Sequence, residues 1–273
     1  QLKTCVFPVR TMEAKFPLRA ILQEDEAHEK LATELRSRGI EVVQRPFEDF
    51  LDSPDVLETD LVVGNHMWTR AALRRLGVPV PMPPDYPQCL HHLLHRRIWQ
   101  STLGEVAAYV RSSDGQTFVK PAADAKTFSA VVEPKDQMLE VFLSGVPGTT
   151  LRPHPPETPV HCAEVVDMVT EYRIYVVHGE VRAVCHYGGG PTDVSIDMDV
   201  VREAVRTLAA SEEGRDVAAG CGIDFAVVKR PEGLVTCLVE VNDGYSLGVY
   251  EGLAPKDEAD LLIARWDRLL KSR

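Results

Sequence analysis

Apolar and polar positions alternate between strand-like and helix-like rhythms in the first third of the chain. Thr4, Cys5, Val6 and Phe7 form a short run of strand type. Residues 24–38 carry Ala27, Leu31 and Leu35 at i, i+4 and i+8, with Gly39 behind them. That spacing and stop predict an amphipathic helix. Residues 40–43 predict a second strand and residues 61–64 a third, followed by a short helix through Leu76. Strands separated by helices predict a small parallel βαβ sheet. Asp60 stands at one end of its third strand, and Asn65 and His66 stand at the other. Residues 78–87 hold prolines at 79, 81, 83, 84 and 87. Such a segment cannot continue a helix or a central strand, and it reads as a linker and domain boundary.

Beyond the prolines the rhythm changes. Residues 88–101 predict a helix with Leu90, Leu94 and Ile98 on one stripe. Strands are expected at 117–120, 130–132 and 162–166. A hairpin follows, 172–178 with 181–187, turned by Gly179 and Glu180. Residues 200–219 predict a long amphipathic helix through Val201, Val205 and Leu208. A second hairpin pairs 223–229 with 234–241 about Pro231, Glu232 and Gly233, and residues 256–270 close the chain as a helix burying Ile263, Trp266 and Leu270. Hairpins with flanking helices after a parallel unit predict α+β domains behind an α/β one.

The 273 residues carry 30 basic and 41 acidic side chains, a net charge of −11. That balance argues against nucleic acid or an anionic membrane as partner. The hydrophobic share of 44% is that of an ordinary globular chain. No apolar run approaches the ~20 residues of a membrane helix. Six cysteines are scattered without CxxC or zinc spacing, which predicts small buried hydrophobes in a reducing cytoplasm. The chain opens at Gln1 without a charged-then-apolar leader, so no secretory signal is expected.

The most informative chemistry lies in the last hairpin. Side chains alternate along a strand, so Glu240 and Asn242 share a face. A three-residue loop at 231–233 would set Arg230 opposite Leu234 and therefore Asp224 opposite Glu240. Two carboxylates and an amide are hard oxygen donors suited to Mg²⁺ shared with phosphates. The plain alternative is a pair of solvated acids on a half-exposed sheet. Against it, Ile223, Phe225, Val239 and Val241 make the surroundings strongly apolar, and facing acids repel without a cation. Residues 244–248 also fit G-x-S-x-G, but a serine hydrolase of that type needs a histidine after the serine, and the last histidine is His186. Neither a Walker A nor a GxGxxG motif is present.

Asp224 followed by Glu240-Val241-Asn242 resembles, in type, order and spacing, the magnesium-holding residues of ATP-grasp enzymes, and the likeness runs through the whole chain. The ending Asn242-Asp243-Gly244-Tyr245-Ser246-Leu247-Gly248 resembles a poorly characterised ligase branch of that family. The resemblance implies a small parallel α/β domain with the proline-rich linker (1–87), a small ATP-grasp lobe (88–163) and a C-terminal lobe with the metal site (164–273). It implies ATP and two Mg²⁺ ions, replaceable by Mn²⁺, on Asp224, Glu240 and Asn242. Lys120, late in an apolar strand and stopped by Pro121, resembles the lysine that meets the α- and β-phosphates. Taken alone, it is equally a surface lysine at a strand end. Residues 122–129 resemble the loop over the phosphates, with Lys126 on the terminal one.

Glu164, Val165 and Val166 resemble the adenine-reading hinge, and Glu171 the ribose acid, with Asp167 as competitor. Arg173 shares a strand face with Glu171 and Tyr175, and could meet a phosphate or an acyl-phosphate. Read plainly, Glu171 and Arg173 are a same-face ion pair. Arg97 is the candidate for a further phosphate cation, with Arg96 its rival. Arg152, Arg182 and His186 stand as unranked substrate contacts. His91, His92 and His95 read as an exposed histidine-rich face. The implied activity is a carboxylate–amine ligase working through an acyl-phosphate on small-molecule or peptide acids and amines, releasing ADP and phosphate. The alternative is a regulatory ATP-binding module without catalysis.

Overall fold

The computed structural model describes residues 16–52, 55–112, 115–122 and 127–272. The strand expected at 4–7 and the lysine at 126 lie outside these residues.

The first sheet is parallel, as expected, but its central strand is one the pattern did not mark. β1 (Arg19–Gln23) lies between β2 (Glu41–Arg45) and β3 (Asp60–Val63), and Ala20, Ile21 and Leu22 are wholly buried. Arg19 opens the strand with a two-armed bond to buried Asp60, at 3.0 and 2.6 Å, which ties β1 to the start of β3. Three helices surround this sheet: α1 (Glu29–Ser37), α2 (Phe47–Asp52) and α3 (His66–Arg75). Asn65 caps α3, its side-chain oxygen accepting from the Met67 and Trp68 amides.

The helix expected over 88–101 does not form. A single 3₁₀ segment, Gln88–Leu93, is followed by His95 at φ +46°, and the chain then enters β4 (Ile98–Thr102). Leu90 and Leu94 bury as the stripe required, but Ile98 and Trp99 are β-branched and aromatic and pair in a sheet instead. That antiparallel sheet has the order β4-β7-β5-β6, with β5 (Thr117–Pro121), β6 (Val131–Glu133) and β7 (Pro159–Glu164). It packs on α4 (Leu103–Ser112) and α5 (Leu139–Ser144) through Leu103, Val106, Val119 and Phe142.

The third sheet, also antiparallel, has the order β11-β10-β8-β9. Its strands are β8 (Met168–Val177), β9 (Glu180–Gly188), β10 (Gly220–Arg230) and β11 (Gly233–Asp243). One face, with Ile174, Val176 and Phe225, packs on α6 (Met198–Ala210). That helix ends at Ala210 rather than 219, because Ser211 turns extended and its hydroxyl receives the Gly214 amide. The other face packs at one end on α7 (Pro255–Lys271), whose Leu262 and Trp266 also enter the core of the parallel sheet. α7 is therefore a layer shared between two sheets.

The second hairpin turns more tightly than expected, with Gly233 opposite Arg230. Left uncorrected, this would move Glu240 off Asp224. A bulge at Val239 adds one residue to β11 and restores the pairing of Asp224 with Glu240. Arg96 holds this bulge, its guanidinium donating to the Leu238 and Val239 carbonyls at 2.6 and 2.8 Å. Arg96→Ala should cost about 2 kcal/mol, the range for charged hydrogen bonds, in urea denaturation. Arg96→Lys, which lacks the fork, should recover only part of it.

Candidate active site

Alternation along β8 places Glu171, Arg173, Tyr175 and Val177 on the sheet face opposite α6. Across that face Arg173 pairs with Asp224, and Asp224 with Glu240, in one transverse row. Asp224 is only 1% exposed. Such a carboxylate must be neutralised, and Arg173 does so with two arms at 2.7 Å. The Asn242 amide adds a third bond to Asp224 at 3.0 Å. Gly222 leaves the room this needs, since a Cβ there would come within 3.2 Å of the Arg173 side chain. The same-face ion pair expected between Glu171 and Arg173 gives way to this fork. Glu171 instead accepts from the Tyr187 hydroxyl at 2.9 Å. Tyr187 and Tyr250 stack at 4.6 Å, and the Arg173 guanidinium lies 4.9 Å from the Tyr250 ring centre.

Lys120 reaches across from the second sheet. Its ammonium donates to Glu240 at 2.7 Å and to Asp85 at 2.6 Å, and it lies over the Tyr86 ring. At 8% exposure it is no solvated strand-end lysine. Burial alone would lower its pKa, but the Glu240 and Asp85 carboxylates outweigh that and raise it. Burial likewise pushes Glu240 upward, and Lys120 more than reverses this, so Glu240 lies below the usual glutamate range. Burial lifts Asp224 and Asp85, opposed by Arg173 and Lys120 respectively.

Asp85 and Tyr86 were hidden in what the sequence marks as a linker. Asp85 stands among the prolines of that segment at φ +26°, and its carbonyl accepts the Val241 amide at 2.8 Å as a bridge to β11. The unpaired Asp85 oxygen lies 3.5 Å from His161 of β7, and both that oxygen and His161 Nδ1 are buried without a hydrogen bond. An acid inside a proline run was the available signal. Tyr187 and Tyr250 left none.

A cavity of about 350 Å³ opens on this cluster, lined by Arg70, Asp85, Arg173, Glu240, Asn242 and Tyr245. A larger one, about 580 Å³, lies elsewhere between Pro17, Arg38, Arg182 and Asp260 and shares no residue with it. The structure thus brings together Lys120, Glu171, Arg173, Asp224, Glu240 and Asn242.

Glu164, Val165 and Val166 form the passage from β7 to β8, with Glu164 and Val165 exposed and Val166 packed on Ala226 and Cys237. Arg97 lies beside them on a strand approach, not on a helix. Its carbonyl accepts the Glu164 amide at 2.9 Å, and its guanidinium stacks on Trp99 at 4.4 Å. The remaining basic candidates do not converge. Arg152 is exposed on a loop, Arg182 belongs to the other cavity, and His186 points to the α6 face, against Thr170 and Tyr172. His91, His92 and His95 are all exposed. Among the described residues no helix is long and apolar enough to cross a membrane, and the five described cysteines are free thiols.

No curated protein sequence matches the chain. Among solved structures, D-cycloserine synthetase DcsG superposes with a TM-score of 0.55 at 15% identity, covering 93% of this chain and 99% of that one. The D-alanine–D-alanine ligase of Bacillus anthracis gives 0.53 at 11%, covering 93% and 97%. A RimK domain ATP-grasp protein of Sphaerobacter thermophilus gives 0.51 at 13%, covering 92% and 98%. Identities this low speak for the fold alone. Residues 93–261, more than half of the chain, match the model of the ATP-grasp domain, R-two-K clade family 2. The chain belongs to that ATP-grasp family.

Proposed function

We propose that the protein is an ATP-dependent carboxylate–amine ligase. The carboxylate of one substrate takes the γ-phosphoryl group of ATP, releasing ADP, and an amine then displaces phosphate to leave an amide. The observation that carries this reading is the meeting of Lys120 and Arg173, from two sheets, with Asp224, Glu240 and Asn242 in one cluster, of which Arg173, Glu240 and Asn242 line a cavity. Phosphoryl transfer asks mainly for alignment and charge neutralisation, so no nucleophilic side chain is required.

Division of the chain at residues 87 and 163 suits this reading, since Lys120 and the acids then belong to facing lobes. Glu164, Val165 and Val166 are assigned to the adenine, Glu171 to the ribose and Arg97 to the outer edge of the nucleotide site. Lys120 and Lys126 are assigned to phosphates.

Two carboxylates and one amide on a single face suit a divalent cation by donor chemistry. Glu240 and Asn242 line the cavity, and Asp224 beside them accepts three bonds from Arg173 and Asn242, which leaves its carboxylate one acceptor position. These three residues would hold Mg²⁺, which when bound neutralises phosphate charge. Arg173 lies beside that row and can orient a phosphoryl group. The aromatic pair at its flank limits its reorientation. The substrates are assigned as a small-molecule or peptide acid and an amine, and the compartment as cytoplasmic.

Glu240→Ala should reduce amine-dependent ADP release at saturating Mg²⁺ at least about 100-fold, and should cost only about 1–3 kcal/mol of stability because buried Lys120 keeps Asp85. Comparable turnover in that variant would remove the assignment. Tight ATP binding without ADP release on any acid–amine mixture would point instead to the regulatory module. Arg173→Ala leaves a buried carboxylate unpaired and should cost about 3–5 kcal/mol in denaturant unfolding. Adding Asp224→Asn to it should recover most of that stability and none of the turnover.

A further inference from the structure

A second cavity, about 180 Å³, adjoins the first along residues 245–248. It is enclosed by Gly64 at the carboxyl end of β3, His28 before α1, Tyr175, Leu247, Leu261 and Glu258. Glu258, in the first turn of α7, is 8% exposed, and among the described residues its carboxylate has neither a hydrogen bond nor an ion pair. Burial alone pushes it up to about 7.

Each of the other polar side chains around this space already makes at least one hydrogen bond. The Tyr175 hydroxyl donates to the Gly248 carbonyl and accepts the Tyr250 amide, each at 2.9 Å. Tyr245 accepts from Arg70 at 3.2 Å, and Ser246 donates to the Gly64 carbonyl at 3.1 Å. His28 Nδ1 is bonded to the Gln23 carbonyl at 2.9 Å. The remaining walls are largely apolar, including Val63, Leu253 and Leu262. What this space lacks, among the described residues, is a permanently charged hydrogen-bond donor. Its volume suits one such group on a short aliphatic stem.

We propose that this cavity seats a primary ammonium group of the substrate, with Glu258 as its counter-ion. The proposal rests on the ligase reading for its biological setting. An ammonium held by a carboxylate keeps its proton, so it cannot be the attacking amine. It is an anchor, and it marks the acid substrate as an amino acid or a peptide bearing a free primary amine. Tyr175 lines this cavity two residues along β8 from Arg173, which places the anchor beside the cleft where a carboxylate would react.

The test uses the full chain without ATP. Binding of n-propylammonium and n-butylammonium is followed by ligand-observed NMR at pH 8, with butanol and tetramethylammonium at equal ionic strength as controls. The primary ammonium ions should bind saturably to the wild type and at least tenfold more weakly to Glu258→Gln, and neither control should bind. Wild-type binding should also fade by pH 5.5 as Glu258 takes up its proton. Of the other titratable groups on the cavity, Tyr175, Tyr245 and His28, only the last is an imidazole, so the loss should persist in His28→Gln.

Because burial raises the Glu258 pKa, its ionisation removes stability as pH rises through about 7. Glu258→Gln should therefore melt higher than the wild type at pH 8 and level with it at pH 4.5, which also shows that the variant folds. Equal ammonium binding by wild type and Glu258→Gln, or none by the wild type, overturns the proposal. Ammonium binding without any ADP release would refute the ligase reading and leave the subsite standing. ADP release with an unchanged amino-acid KM in Glu258→Gln would refute the subsite alone.

Discussion

The Asp224 carboxylate sits in the middle of an apolar sheet, and an ion in that place must be matched or it destabilises the fold. Arg173 supplies the match with both arms, from the neighbouring strand. This fork favours the same register of β8 against β10 as the backbone ladder, because a one-residue slip would turn the guanidinium to the α6 side. It also determines the neighbours. Asn242 closes on Asp224, Gly222 stays bare to admit the arginine, and Tyr187 and Tyr250 wall its flank. The polar face of the C-terminal sheet is thereby organised around one buried pair.

A second contact joins this face to the rest of the molecule. Lys120 extends from β5 to Glu240 on β11, and the same ammonium holds Asp85 of the proline segment. Three separate stretches of chain thus meet at one cation. The arrangement explains why the proline segment is stiff: Asp85 is a fixed point whose carbonyl also engages β11, and a flexible linker would lose entropy in holding it there.

The pairing of Asp224 with Glu240 was legible from the chain, though by two offsetting differences. The loop is one residue tighter than its Pro-Glu-Gly composition suggests, and the bulge at Val239 restores the register. Strand alternation carried the inference, since it depends only on residues close to the site. Lys120 was legible in the same way, as a cation ending an apolar strand. Long-range placement was not. Residues 88–101 have a helical stripe, yet the demand of β7 for a partner and the reach of Arg96 to the bulge decide the conformation. β1 was missed because Arg19 interrupts its short apolar run, and its reason for being there, Asp60, lies 41 residues away. Asp85 was read as linker because an acid inside a proline run, the one local signal, does not say which distant cation it meets, and Lys120 lies 35 residues away.

Charge sets the final constraint. Asp85, Asp224 and Glu240 already engage Lys120 and Arg173, and with Arg70 on the same cavity the cluster carries no surplus of positive charge before any ligand arrives. A triphosphate entering such a site alone would meet repulsion in a region of low dielectric. Under the proposed reading it must bring positive charge with it, and the free donor capacity of Glu240 and Asn242 toward the cavity is where that charge would be taken up. The same reasoning applies on the far side of residues 245–248, where Glu258 faces its cavity with no cation of its own. Of the two cavities, the apolar one is without a fixed cation among the described residues, while the first holds Arg70 and Arg173. An ammonium would supply that charge at Glu258, whereas a carboxylate entering the first cavity needs Arg173 or a bound cation to receive it.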